Sequence, residues 1–263
     1  MYAARFRAER SVRMEHITSR KNPLIQSIRA LGRSRRDRED AGLFVLDGEK
    51  LLREAIQFSA PVETVLWAEQ AAFALPQGIR QITAPRDLVA YASPLEHSPG
   101  PVFTIRMPDR SVPDRAGQLL VLENVQDPGN VGTVIRTANA LGVEAVALVG
   151  ACADLYSPKT ARATMGAIFR QTVFACSMET LDALLRRSEL PLYGAALSEQ
   201  ARDVRDVALA HAAVAVGSEG QGLSADFLRR CDGEIIIPMQ PDSESLNAAV
   251  AASILMWEIA RND

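Results

Sequence analysis

Asp127-Pro128-Gly129-Asn130-Val131-Gly132-Thr133-Val134-Ile135-Arg136-Thr137-Ala138 follows the apolar run 118–122 and leads into a helical pattern over 131–141. It is a strand–turn–helix junction, and two more segments downstream have the same character. Gly217-Ser218-Glu219-Gly220-Gln221-Gly222-Leu223 follows the apolar run 212–217. Ile237-Pro238-Met239, residues 240–244 and then Ser245-Leu246-Asn247 follow the run 233–237 and precede a helical pattern over 246–260. Three such turns on one α/β sheet can meet at one edge and make a site. Their chemistry is polar but poor in carboxylates. That argues against hydrolysis by an acid–base pair and for binding and group transfer.

The rhythm around these turns sets the fold class. Strands are predicted at 118–122, 144–149, 172–175, 191–196, 212–217 and 233–237, and helices at 131–141, 159–169, 178–187, 224–230 and 246–260. Short apolar runs alternating with helices predict a parallel sheet covered on both faces. The last helix is apolar nearly all round and rich in alanine, which predicts burial in the domain or at a partner surface.

Upstream, residues 15–107 read as a smaller α/β unit. Asn22-Pro23 opens a helix with Leu24, Ile25, Ile28 and Leu31 at helical spacing and Gly32 as its stop. Strands are predicted at 43–46, 62–67 and 101–107, and an amphipathic helix at 49–58. Residues 108–117 form a polar, proline-bearing linker to the second unit, 118–263. Residues 1–14 read as a disordered leader or a misassigned start.

The net charge of −3 over 263 residues conceals an asymmetry: residues 1–40 carry +6 and the remainder −9. A basic head on an acidic body suits a polyanionic partner, and the competing reading is a solvated helix face. The local density of Arg29, Arg33, Arg35, Arg36 and Arg38 favours the first, because guanidinium forks suit phosphate oxygens. Arg20, Lys21, Arg33, Arg35, Arg36 and Arg38 are the candidate contacts to that polyanion, which the family resemblance given below implies is RNA. At 5% aromatic residues the chain has little for base stacking, so phosphate and shape recognition are expected.

Other classes are disfavoured. No window approaches ~18 consecutive apolar residues, and the N-terminus has no secretory core, which predicts a cytoplasmic protein with no membrane span. Cys152, Cys176 and Cys231, with His16, His97 and His211, lack metal-ligand spacing, so no metal site is expected. The order Gly217-x-x-Gly220-x-Gly222 is not a dinucleotide fingerprint, and no Gly-Lys-Ser/Thr marks a phosphate loop.

The three turns, in this order and spacing, resemble the three motifs of the SpoU (TrmH) family of RNA ribose methyltransferases, in the SPOUT class. Ser157-Pro158-Lys159 and Arg162-Ala163-Thr164-Met165-Gly166 extend the likeness, with Thr164 where the family usually has serine. The segments 17–23 and 44–49 are similar to the substrate-binding domain often fused to it. The resemblance implies a C-terminal SPOUT-type parallel sheet with a deep trefoil knot, a small N-terminal L30e-like α/β domain, and a homodimer. It implies transfer of a methyl group from S-adenosylmethionine to a ribose 2′-hydroxyl. The head resembles those of ribosomal RNA modifiers, which points to ribosomal RNA. Because a sulfonium already makes the methyl electrophilic, the transfer requires no metal. A transfer-RNA substrate, or a non-catalytic RNA-binding or ribosome-assembly role, stays open on sequence alone.

Carried over position by position, Gly217, Ile237, Met239, Leu246 and Leu197 would contact the cofactor. Without a Cβ, Gly217 would let the adenosyl group approach the backbone. Asn130, Arg136, Glu219, Ser245 and Asn247 match the polar catalytic set. Each has a plainer reading beside it. Asn130 and Ser245 are placed to cap helices, Arg136 to form an ion pair or snorkel, and Glu219 to pair with Arg136 or hold its turn. Arg136 would grip the phosphate beside the target ribose rather than abstract a proton, since a guanidinium side chain is not deprotonated in proteins.

Overall fold

The computed structural model describes residues 14–96, 98, 100–240 and 245–261. Two sheets organise the chain. The first comprises β1 (Glu15–His16), β2 (Leu43–Asp47), β3 (Val62–Ala68), β4 (Arg80–Ala84) and β5 (Val102–Arg106), in the order β1-β4-β3-β5-β2. Helices α1 (Pro23–Leu31), α2 (Arg35–Ala41), α3 (Glu49–Gln57) and α4 (Arg86–Ala92) accompany it. Asn22 caps α1, its side chain accepting from the Leu24 N–H at 2.9 Å, and Pro23 occupies the first turn.

The second sheet comprises β6 (Leu119–Glu123), β7 (Ala145–Val149), β8 (Thr172–Cys176), β9 (Leu192–Ala195), β10 (Arg202–Asp203), β11 (Ala213–Val216) and β12 (Gly233–Ile236). All its pairings are parallel, in the order β10-β12-β9-β11-β6-β7-β8. Every C-terminal strand end therefore lies on one edge. Helices α5 (Pro128–Leu141), α6 (Pro158–Ala163), α7 (Met178–Ser188), α8 (Ala225–Leu228) and α9 (Ala248–Arg261) cover it. The central strands are buried throughout, as a doubly covered parallel sheet requires.

The helix expected over 159–169 is shorter. α6 ends at Ala163, and Met165 and Gly166 take left-handed φ values of 49° and 84° before a short 3-10 turn, Ala167–Phe169. The break has a packing cause. A Cβ on Gly166 would fall on the Glu54 carboxylate, which reaches across from α3. Likewise a Cβ on Gly132 would overlap the Ala163 side chain and sit 2.7 Å from the Thr160 carbonyl, so α5 and α6 touch where glycine lets them.

The two sheets share one hydrophobic core. Phe44, Leu46 and Leu52 of the first unit belong to the same buried cluster as Leu120, Val131 and Ile168 of the second. The stretch 108–117, expected as a linker, is pinned. Arg110 donates to the Tyr156 hydroxyl at 2.9 Å and to the Ile168 carbonyl at 2.6 Å, while the Ala116 N–H donates to the Ser188 hydroxyl at 3.0 Å.

Arg38 corrects the RNA-contact expectation. It is 4% exposed, donates to the Leu31 carbonyl at 2.7 Å, and pairs with Asp154 in the loop after β7. Its charge is spent joining the two units, because helical spacing turns Arg38 inward while Arg35 and Arg36 face out. Arg35 and Arg36 pair with Glu39 and Asp40 one turn on, at 2.7 and 3.5 Å. Over 33–40 the exposed cations Arg33, Arg35 and Arg36 are matched by exposed Asp37, Glu39 and Asp40.

Burial pushes the thiols of Cys176 and Cys231 up to about 11 and about 12, so both stay protonated at neutral pH. Among the described residues no group of His, Cys, Asp and Glu is placed to hold a metal ion, and no helix is long and apolar enough to cross a membrane. His97 lies outside the described residues.

Removing one partner of a buried ion pair leaves the other charge desolvated. Arg38→Ala is expected to lower stability by about 3 kcal/mol, and Arg38→Met with Asp154→Leu to cost less. Urea unfolding of the two variants checks this; equal losses would mean that the pair carries no such penalty.

Candidate active site at the C-terminal edge of the parallel sheet

α5 begins three residues earlier than its apolar pattern suggested. Pro128 fills its first turn, and Asp127 is the cap, accepting from the Asn130 N–H at 3.0 Å. The Asn130 side chain is thereby released from capping. Its amide nitrogen donates to Glu219 in the turn after β11, and its amide oxygen accepts from Asn247 Nδ2 at 3.1 Å. All three predicted motifs thus meet on one asparagine.

Asn247 serves two elements at once. Its side-chain oxygen accepts from the N–H groups of Ala249 and Val250, at 2.9 and 3.2 Å, and so caps α9. That cap was expected of Ser245. The helix starts at Ala248, two residues later than predicted, and Ser245 lies exposed outside it. Residues 241–244 of the third motif are outside the described residues.

The second turn is shaped by its own backbone. Ser218 and Gly222 exchange N–H···O bonds of 3.1 and 2.9 Å, and Gly222 takes φ 66°. A Cβ on Gly217 would fall inside the backbone of Gly222 and Leu223. The closed turn itself therefore requires the glycine, a second reason beside the one given from sequence.

One important group was missed. Glu123, 5% exposed at the end of β6, accepts from the Ser224 N–H at 2.7 Å and the Ser224 hydroxyl at 2.6 Å. It ties the second turn to the central strand. Its signal was an acidic residue closing an apolar strand, Leu119–Glu123, where a fully buried position demands a partner. Asn124, beside it at φ 55°, accepts from the Ala151 N–H at 2.8 Å and joins the loop after β7.

No hydrogen bond or ion pair among the described residues joins Arg136 to the asparagine cluster. Arg136 is exposed, and it shares a helix face with Gly132, four residues earlier, which packs on α6. Asn130 and Thr133 instead face α9 across a groove also lined by Val250, Ile254 and Trp257. Glu219 pairs with Asn130, not with Arg136, and Arg136 has no ion pair among the described residues.

The residues expected around a cofactor stand on adjacent strand ends. Leu197 follows β9, Gly217 follows β11 and Ile237 follows β12, and these three strands are neighbours. Leu197 is 62% exposed, an unusual state for a leucine at the end of a buried strand, while Ile237, Met239 and Leu246 are half-buried. Apolar side chains beside strand-end backbone groups fit the uncharged adenosine part of S-adenosylmethionine.

Asn130→Asp replaces the amide by a second carboxylate against Glu219. Two carboxylates in contact cannot both ionise freely, so the pair holds a proton above the ordinary range near pH 4. A folded-state pKa raised in this way gives stability that is whole at acid pH and lost as pH rises. The variant is therefore expected to lose about 1 kcal/mol relative to the parent between about pH 4 and about pH 7. Urea midpoints across that range check it; parallel curves would show that the two side chains are not in contact.

Comparison with known proteins identifies the family. Residues 117–257 match the model of the SpoU rRNA Methylase family, and residues 22–96 match the MRM3-like substrate binding domain. The chain is 30% identical to the 23S rRNA (guanosine(2553)-2'-O)-methyltransferase RlmP of Bacillus subtilis, over 94% of this chain and 99% of that one. It is 32% identical to the 23S rRNA (uridine(2479)-2'-O)-methyltransferase of Streptomyces viridochromogenes, over 98% and 96%. Among solved structures it is similar to the AdoMet-bound rRNA methyltransferase of Sinorhizobium meliloti, with TM-score 0.83 at 26% identity over 94% and 98% of the two chains. The AdoMet complex of the SpoU methyltransferase AviRb of S. viridochromogenes gives TM-score 0.82 at 27% identity over 92% and 98%. With its three motifs joined at one sheet edge and matched along nearly the whole chain, the protein belongs to the SpoU rRNA methylase family.

Proposed function

We propose that the protein methylates a ribose 2′-hydroxyl of ribosomal RNA with S-adenosylmethionine as donor. The observation that carries this is the junction of Asn130, Glu219 and Asn247 beside the strand ends of Leu197, Gly217 and Ile237, in a chain of this family. S-adenosylmethionine supplies a methyl group on a sulfonium, so the protein's task is orientation. Holding the hydroxyl in line for attack contributes on the order of 7–11 kcal/mol at best.

Leu197, Gly217, Ile237, Met239 and Leu246 form the cofactor pocket, the apolar side chains as walls and Gly217 through its closed turn. Asn130 fixes the mutual position of the second and third motifs. Ser245, free of the capping role, is available to accept from or donate to the ribose hydroxyl. Arg136 neutralises the phosphate next to the target ribose, a role supported by its exposure and its lack of an ion pair among the described residues. Lys21 and Arg33 are the head's open cations toward RNA, with Arg20 offset by Asp87 and Arg35 and Arg36 by their acidic neighbours.

We read the chain as an L30e-like RNA-binding unit over 15–107 and a methyltransferase unit over 118–263. A trefoil knot in the second is supported by α9, which leaves the far side of β9 after β12 and returns to pack on α5 and β11. A homodimer is supported by the α5–α9 groove, where Trp257 is 59% and Val250 48% exposed. A second copy covering that groove would border Asn130 and Asn247. The cytoplasm, where ribosomal RNA is found, is the expected site of action.

Purified protein with labelled S-adenosylmethionine and total ribosomal RNA from a strain lacking its gene should place label in an alkali-resistant ribose linkage. Label on a base, or on transfer RNA instead, would overturn the assignment. Arg136→Ala is expected to keep cofactor affinity and lose at least about 100-fold in transfer, the scale of one well-placed charge contact. Near-normal turnover would remove Arg136 from the mechanism.

A further inference from the structure

Exposed cations without an ion pair among the described residues include Lys21, Arg33 and Lys50 on the head as well as two on α6. On the head, Arg20 pairs with Asp87, Arg35 with Glu39, Arg36 with Asp40 and Arg53 with Glu49. Lys159 and Arg162, one turn apart on α6, are exposed and have no ion pair among the described residues. The inward face of the same helix is filled by Thr160, Ala161 and Thr164, all buried. Two cations without an ion pair among the described residues are therefore presented to solvent on one face of a short helix by the packing of the opposite face.

Their position gives this meaning. α6 is capped by Ser157 at the C-terminal edge of the sheet, the edge that carries the asparagine cluster, so Lys159 stands in the turn nearest that edge. Arg162 lies toward the head, and its charge acts on the Asp47 carboxyl at the end of β2. Asp47 is buried and takes its hydrogen bonds from Ser93 and Ser98, and none joins it to the exposed Arg162 among the described residues. On α5, Arg136 falls between Gly132, which packs on Ala163, and Asn139, which accepts from Arg170 at 2.9 Å. Arg136 is thus one helical turn along α5 from the residue that touches the end of α6.

We propose that Lys159 and Arg162, continued by Arg136, form a phosphate-binding strip that carries the RNA backbone across the seam between the two units to the target ribose. The strip deepens the RNA methyltransferase reading and rests on it. It makes α6, rather than the self-neutralised helix α2, the main electrostatic contact. Each phosphate neutralised by a cation adds about 0.7–0.9 to the slope of log affinity against log salt.

The test measures retention of total ribosomal RNA from the gene-deleted strain by full-length protein across a range of salt. Lys159→Ala with Arg162→Ala is compared with Arg186→Ala with Arg187→Ala, which removes the same charge from the distant helix α7. The first variant should lose about 1.5 from the slope and at least about tenfold in affinity at moderate salt, with S-adenosylmethionine binding and unfolding midpoint unchanged. The second should match the parent. Equal slopes in the two variants would overturn the strip while leaving the methyltransferase reading intact. Parent protein that neither retains nor methylates RNA would overturn that reading and the strip with it.

Discussion

The arrangement of the site depends on where one helix begins. Because Asp127 caps α5 and Pro128 fills its first turn, Asn130 sits in the third helical position with its own N–H already satisfied. Its side chain is then free to donate to Glu219 and accept from Asn247. Those partners are 89 and 117 residues away, and each anchors a different strand-end loop. Had the helix begun at Val131, the amide oxygen would have been committed to capping and the three loops would have lacked a common member. Glu123 reinforces the arrangement from below, holding the second loop to the central strand by two bonds to Ser224.

The head is held as firmly as the loops. Arg38 and Asp154 make a buried ionic contact, Glu54 occupies the space left by Gly166, and Arg110 distributes its guanidinium over carbonyls of the second unit. Around these polar points the apolar core runs without interruption from one sheet to the other. The geometry between a bound RNA and the transferred methyl is thus set by packing and not by a flexible tether.

Much of this was legible in the sequence, and the failures share a cause. The parallel sheet was readable because its principal strands are short apolar runs, most of them followed by a polar turn and a helix. The six principal strands of that sheet lie within a residue of the expected positions. β4 and α4 were not anticipated, since Arg80–Ala84 and Arg86–Ala92 are brief and separated only by Pro85. The break after α6 was invisible because its cause, Glu54, lies more than a hundred residues upstream. Asn130, Glu219 and Asn247 were singled out by motif, yet nothing local states that they touch. The density of arginines in the head was misleading for the same reason. Composition counts charges, whereas helical spacing and neighbouring acids decide which of them face water uncompensated.

The contact between Glu54 and Gly166 bears on how such a chain can change over evolutionary time. A head carrying a long acidic side chain at that point requires a residue without a Cβ opposite, and a buried arginine at position 38 requires an acid at position 154. The two units cannot be exchanged as interchangeable modules. A graft of a foreign head would need to bring both halves of each contact. Covariation between units of the chain, rather than within them, is where the history of substrate choice in this lineage would be recorded.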